Sequence, residues 1–137
     1  MSQERFIALG ELLLRLAPPN YEKIRMTNSF IVSYGGAEAN VAVALANLGI
    51  DSSYFTVVPE SSIGKAAIRY IRANDVHCSP CIYSDKGRMG MYYLEEGFGA
   101  RASKVTYDRE NSAFATYDYS TLDMEKKLSG YTWLHTS

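Results

Sequence analysis

The chain is predicted to be an α/β fold, a parallel β-sheet covered by crossover helices, and three observations predict it. Short continuous apolar runs bounded by turn residues read as strands buried on both faces. Segments with helical spacing lie between them. Their order of strand, helix, strand, helix belongs to a parallel sheet, whose neighbouring strands need long crossovers. At 137 residues the chain is long enough for one domain with a core of its own and too short for two.

Residues 6–9 are the first such run, ending at Gly10, and residues 12–16 continue it until Pro18 and Pro19 end regular structure. Residues 24–34 mix β-branched and polar side chains without a helical period, which predicts one or two partly exposed strands stopped by Gly35 and Gly36. Residues 37–48 form the clearest helix: alanine-rich, with Val41, Leu45 and Leu48 on one face and Ala39, Ala42 and Ala46 on another, and Gly49 as its stop. The small face suits close approach to a sheet.

A strand over 53–58 follows, rich in aromatic and β-branched residues, and Ser61 or Ser62 can cap a helix over 63–73 whose Ile63, Ala67 and Ile71 share a face. The middle of the chain departs from this alternation. Residues 90–94 and 104–107, joined through Glu96-Gly97-Phe98-Gly99, predict an antiparallel hairpin separate from the crossover core. Polar residues 111–123, a short helix over 124–128 and a strand over 131–134 complete the chain. A sheet of this kind is expected to continue beyond a last uncovered strand, so the ending reads as a truncation.

Composition excludes several classes. Hydrophobic residues make up 47% and charged residues 21%, the balance of a soluble globular protein. The net charge of −1 argues against nucleic acid as a partner. No apolar run approaches the roughly 20 residues that span a bilayer. The start, Met1-Ser2-Gln3-Glu4-Arg5, lacks the pattern of a signal peptide. The expectation is a cytoplasmic protein with no membrane partner.

The most informative stretch is Tyr34-Gly35-Gly36-Ala37-Glu38-Ala39-Asn40-Val41-Ala42. Paired glycines ahead of a helix let backbone approach a ligand, and the first helical amides point at oxygens or negative charge. Asn40 in the first turn both donates and accepts hydrogen bonds, as sugar hydroxyls require. A plain flexible turn into a packed helix fits the same residues. The stretch is neither a P-loop nor a dinucleotide-binding glycine pattern.

This stretch, extended to Gly49, resembles the first signature of the ribokinase-like (phosphofructokinase B) family of carbohydrate kinases. The Ala37-Glu38 pair is similar to the 2-keto-3-deoxygluconate kinase branch. Gly10-Glu11-Leu12-Leu13, Gly90-Met91-Tyr92-Tyr93-Leu94-Glu95 and the stretch from Val105-Thr106-Tyr107-Asp108-Arg109 to Ala113 agree with it in order and separation. The resemblance implies that Gly35, Gly36 and Asn40 hold the sugar. It implies also that Tyr92 and Tyr107 close over it, that Arg109 binds its carboxylate, and that Glu11 is an acidic sugar contact. The chemistry is coherent, since arginine presents a planar fork of donors and tyrosine an apolar face with a hydroxyl. Packing of the two tyrosines in a lid and a solvated Arg109 are the plain alternatives.

His77-Cys78-Ser79-Pro80-Cys81 competes as a redox pair or half a zinc site. The pair follows a helix instead of starting one, and His135 is the one other histidine. Reduced, incidental thiols and no metal site are the expectation, and two cysteines are too few for a disulfide framework.

Phosphoryl transfer needs a base for the attacking hydroxyl and a nucleotide pocket. In the family the base is an aspartate in a Gly-Ala-Gly-Asp-like signature of the C-terminal half, which this sequence lacks, so no catalytic residue is assigned. The resemblance therefore implies a Rossmann-like three-layer sandwich of the ribokinase type. Residues 1–137 would be its N-terminal sugar-binding portion, with a small β lid from segments of about 11–34 and 88–109. The implied parent activity is ATP-dependent phosphorylation of 2-keto-3-deoxygluconate, a small-molecule sugar acid, with Mg2+. ATP and Mg2+ are expected to serve the full-length enzyme, and neither is expected to bind this chain alone. A homodimer through the lid is implied as well. A fructokinase or ribokinase, and a non-catalytic sugar-binding or assembly module, are the alternatives.

Overall fold

The computed structural model describes residues 3–137; Met1 and Ser2, which open the N-terminal leader reading, lie outside the described residues. In chain order the elements are β1 (Arg5–Leu9), β2 (Leu13–Ala17), β3 (Ile31–Gly35), α1 (Ala37–Asn47), β4 (Asp51–Phe55), β5 (Val57–Pro59) and α2 (Ser62–Arg72). They continue with β6 (Ile82–Ser84), β7 (Met91–Glu95), β8 (Lys104–Asp108), α3 (Ala113–Thr116), α4 (Met124–Leu128) and β9 (Trp133–His135).

A parallel sheet in the order β4-β1-β9 forms the centre, with Ile7 opposite Ser53 on one side and Leu134 on the other. Both faces of β1 are covered, which is why its sequence is continuously apolar. Phe6 and Ala8 pack with Ala39, Ala42, Tyr54, Ile68 and Ile71 on the side of α1 and α2. Ile7 packs with Phe55, Val57 and Ala113 on the opposite side, where Phe114, Tyr117 and Leu128 join them. Helix, sheet and helix-bearing segment thus make three layers. Ser52, buried in β4, donates to the Ala42 carbonyl at 2.8 Å and ties sheet to helix where both residues are small.

A second, four-stranded sheet stands apart in the order β3-β2-β7-β8. Its β2–β3 and β7–β8 pairs are antiparallel and β2–β7 is parallel, so the segments before α1 and after β6 meet in one sheet. The short parallel pair β5–β6 extends the core beside α2.

Four expectations are corrected. Residues 12–16 do not continue β1: the Gly10 amide donates to the Phe55 carbonyl in the central sheet, whereas the Leu14 amide donates to the Gly90 carbonyl, so the chain changes sheets in between. Of residues 24–34 only Ile31–Gly35 is strand; Ile24–Met26 is a 3₁₀ turn whose Ile24 amide is held by Glu95 Oε1 at 2.7 Å. The strand over 53–58 breaks at Thr56, whose carbonyl accepts from the Ile82 amide. Finally, the alanine face of α1 and the Ala67–Ile71 face of α2 lie inward as expected, but Leu48 and Ile63, placed on apolar faces of these helices, do not. Helix α1 buries Ala39 and Ala42 while Leu48 is 77% exposed, and α2 buries Gly64, Ala67, Ile68 and Ile71 while Ile63 lies outside. Ser61 is the cap of α2, accepting from the Gly64 amide.

Candidate functional site

Strand β1 ends at Leu9, β9 is followed by Thr136 and Ser137, and α1 begins at Ala37, so the carboxyl ends of the parallel strands and a helix N-terminus share one edge. Ligands of open α/β sheets bind at that edge. Over it stands the separate sheet, and between them lies a cleft of about 610 Å³, a volume suited to a small molecule. Glu11, Gly36, Asn40, Tyr92, Tyr107 and Arg109 all line it. Gly35 does not line it but lies directly behind: a Cβ there would sit 3.3 Å from the Tyr92 hydroxyl.

Each side chain has a local cause. Tyr92 and Tyr107 are directly paired in the β7–β8 register and so share a face, their ring centroids 5.8 Å apart. Burial raises the Tyr92 phenol above its ordinary pKa, which keeps it a donor. The Arg109 guanidinium lies 6.0 Å from the centre of the Tyr107 ring. Gly36 allows the start of α1 to pass close to the chain between β1 and β2: a Cβ there would lie 2.5 Å from the Glu11 carbonyl oxygen.

The principal ion pair of the cleft is Glu11 with Arg109. Arg109 donates from Nε and Nη2 to Glu11 Oε1 at 3.1 and 2.5 Å. The Glu11 side chain is 6% exposed and the Arg109 side chain 48%. Glu11 therefore holds the guanidinium through Nε and Nη2, and the second Glu11 oxygen, Oε2, is buried without a partner among the described residues.

Glu38 was not singled out as a site residue, yet it is buried in the cleft wall. Its Oε1 accepts from the Ser137 amide and hydroxyl. Burial disfavours its charge, but the hydrogen bonds from Ser137 and from its own amide, with His135 nearby, outweigh that and hold the carboxyl below its usual range. The signal lay in spacing: Glu38 and Ala42 are four apart, so the small-residue stripe that seats α1 on the sheet carries Glu38 inward with it. Phe114, also in the cleft, belongs to a segment read only as polar.

Among the described residues no three His, Cys, Asp or Glu side chains gather as metal ligands. Nor is any helix long and apolar enough to cross a membrane.

A cleft of about 610 Å³ at the carboxyl edge of a parallel sheet, roofed by a second sheet that brings two tyrosines and an arginine, marks an α/β protein with a cavity of small-molecule size. The description pfkB family carbohydrate kinase matches residues 3–129, and the chain belongs to that family. It is 35% identical over 111 residues to the 2-dehydro-3-deoxygalactonokinase of Haloferax volcanii, an alignment covering 80% of this chain and 34% of that protein. The crystal structure of 2-dehydro-3-deoxygluconokinase from Thermotoga maritima superposes with a TM-score of 0.92 at 41% identity, covering 97% of this chain and 40% of the other. A pfkB family carbohydrate kinase from Listeria grayi gives 0.90 at 36% identity, covering 96% of this chain and 41% of its own. The chain thus spans about a third to two fifths of the length of these relatives. Its α/β architecture is that of the N-terminal portion of the ribokinase-type kinases.

Proposed function

We propose that this chain is the sugar-binding N-terminal portion of an ATP-dependent kinase that phosphorylates 2-keto-3-deoxygluconate at a terminal hydroxyl. The observation that carries the reading is the convergence of Glu11, Gly36, Asn40, Tyr92, Tyr107 and Arg109 on one cleft from four separate stretches of sequence. Asn40 and the first amides of α1 meet sugar hydroxyls, and the two tyrosines stack on the carbon skeleton. The Nη1 edge of Arg109 takes the carboxylate, with Glu11 fixing its plane. The sheet β3-β2-β7-β8 acts as a lid that excludes water, so that the sugar hydroxyl and not water receives the phosphoryl group.

When bound, ATP supplies that group and Mg2+ neutralises charge developing on it. The described residues offer neither a cluster of metal-ligating side chains nor a phosphate-binding loop, so the chain's own residues are assigned to the sugar alone. Both carboxylates of the cleft are already engaged, Glu11 by Arg109 and Glu38 by Ser137, which leaves neither placed as the base. The purified 137-residue chain is therefore expected to give no ATP-dependent phosphorylation of the sugar acid in a coupled ADP-release assay. Turnover above the level of a mock purification would overturn this division of labour.

One observation favours a second reading, a fructokinase- or ribokinase-like preference for a neutral sugar. Arg109 is already paired, so the cleft carries no uncompensated positive charge. Comparing binding of the sugar acid with fructose and ribose decides between them.

The lid also supports a homodimer. The sheet face that carries Tyr92 presents Ile31, Val105 and Tyr107, 56, 45 and 62% exposed, an apolar surface suited to a second lid. Tyr93 and Phe98 lie against aromatic rings of their own chain, Phe30 and Tyr21. Sedimentation is expected to show a discrete dimer that Ile31→Glu with Val105→Glu converts to monomer. A dimer that survives these changes but yields to Trp133→Glu would place the contact on the central sheet.

A further inference from the structure

Between α2 and β6 lies Cys78-Ser79-Pro80-Cys81, which the sugar chemistry leaves unused. The Cys81 amide donates to the Cys78 carbonyl at 3.0 Å, closing a β-turn. Such a turn holds its first and fourth Cα atoms within roughly 7 Å, and a disulfide spans Cα atoms about 4.4–6.8 Å apart. The backbone thus sets the two cysteines at bridging separation with little rearrangement. Both are free and half-buried.

The two thiols are unequal. Cys78 lines a surface hollow of about 510 Å³ with Arg72, Asp75, Val76, His77 and Ser79, its thiol resting 3.6 Å from the Val76 carbonyl oxygen, so a reagent approaches it from the hollow. Cys81 points inward, its thiol donating to the Tyr54 carbonyl at 3.2 Å. The neighbouring Cys81 thiol lowers the Cys78 thiol below its ordinary range; burial opposes this, and the Arg72 charge assists. The neighbouring Cys78 thiol, and burial, push Cys81 up. An accessible thiolate-prone cysteine beside a sheltered partner is the arrangement that thiol–disulfide exchange uses.

We infer that Cys78 and Cys81 form a thiol–disulfide exchange site, with Cys78 attacking and Cys81 resolving, for small disulfides that enter the hollow beside Arg72 and His77. Cys78 gives up its proton and attacks one sulfur of the disulfide. The S–S bond of the reagent breaks and one thiol departs with that proton. Cys81 then loses its proton and attacks Cys78 Sγ, releasing the second thiol and leaving the intramolecular bond. Two electrons pass from the cysteine pair to the reagent. The position of the pair after a helix gives no sequence reason to expect this; the turn supplies it. The site stands independently of the sugar reading.

The test exposes the folded 137-residue chain to glutathione disulfide, quenches with an alkylating agent and reads masses. Wild type is expected to become lighter by two hydrogens, to resist alkylation, and to yield a peptide bridged between Cys78 and Cys81. Cys81→Ser should accumulate a glutathione adduct on Cys78. Cys78→Ser should react on the order of tenfold more slowly than Cys81→Ser, because the remaining thiol is sheltered and less ionised. A folded wild-type chain that keeps both thiols, carries a stable unresolved adduct, or bridges only between molecules would overturn the proposal. So would a bridge that forms no faster in the folded chain than in urea.

Discussion

Arg109→Ala in the full-length enzyme will raise the Michaelis constant for 2-keto-3-deoxygluconate roughly thirtyfold more than for a neutral sugar, the effect of losing a charged hydrogen-bonded contact of about 2 kcal/mol. A second effect has to be separated from this one. Arg109 is also the partner of Glu11, whose side chain is 6% exposed, so the substitution leaves a sheltered carboxylate unpaired and destabilises the fold. Adding Glu11→Gln to Arg109→Ala removes the orphan charge. Stability measured by urea denaturation should then recover, while discrimination between acid and neutral sugars should not. Recovery of both would make Arg109 a structural partner of Glu11 and nothing more. Equal losses for acid and neutral sugars in the single variant would likewise remove its carboxylate role.

The second large effect concerns the paired glycines, which are not equivalent. At Gly36 an added Cβ would lie 2.5 Å from the Glu11 carbonyl oxygen. That atom is backbone and cannot step aside without moving the residue that holds Arg109. Gly36→Ala is expected to lower the unfolding free energy by about 1–3 kcal/mol, the range for overpacking, and to weaken sugar binding with it. At Gly35 the nearest atom is the Tyr92 hydroxyl, 3.3 Å away at the end of a side chain, so Gly35→Ala should be nearly neutral for stability. Thermal melts and a binding titration of both variants give the ranking. A Gly35 variant as damaged as the Gly36 variant would contradict the close passage of α1 over Glu11.

Local pattern made the central elements legible. The run 6–9 is continuously apolar because β1 is covered on both faces, and the alanines of α1 marked the face that lies on the sheet. What escaped was decided by partners far along the chain. Residues 12–16 look like an extension of β1, and pairing with β3 and with β7, the latter distant in sequence, sends them into the other sheet. Ile24–Met26 looks like strand but is turned by Glu95. Leu48 extends the apolar spacing of α1, yet it falls past the last turn and faces outward.

The site divides in the same way. Gly35, Gly36 and Asn40 sit in one contiguous stretch and were visible from spacing and chemistry. Tyr92, Tyr107 and Arg109 rested on the resemblance, because 11 tyrosines offer no local reason to choose two. Register explains the choice afterwards, since pairing of β7 with β8 puts both rings on one face. The pairing of Glu11 with Arg109 could not be read from sequence, for it joins residues 98 apart.

Titration of the isotopically labelled 137-residue chain with 2-keto-3-deoxygluconate, followed by amide chemical shifts, tests the central claim most directly. The predicted result is saturable shifts centred on Glu11, Gly36, Asn40, Tyr92, Tyr107 and Arg109, weaker with fructose or ribose and without change around His77 and Cys78. Shifts that avoid the cleft, or no saturable shifts from a folded chain, would contradict the assignment of this portion to the sugar.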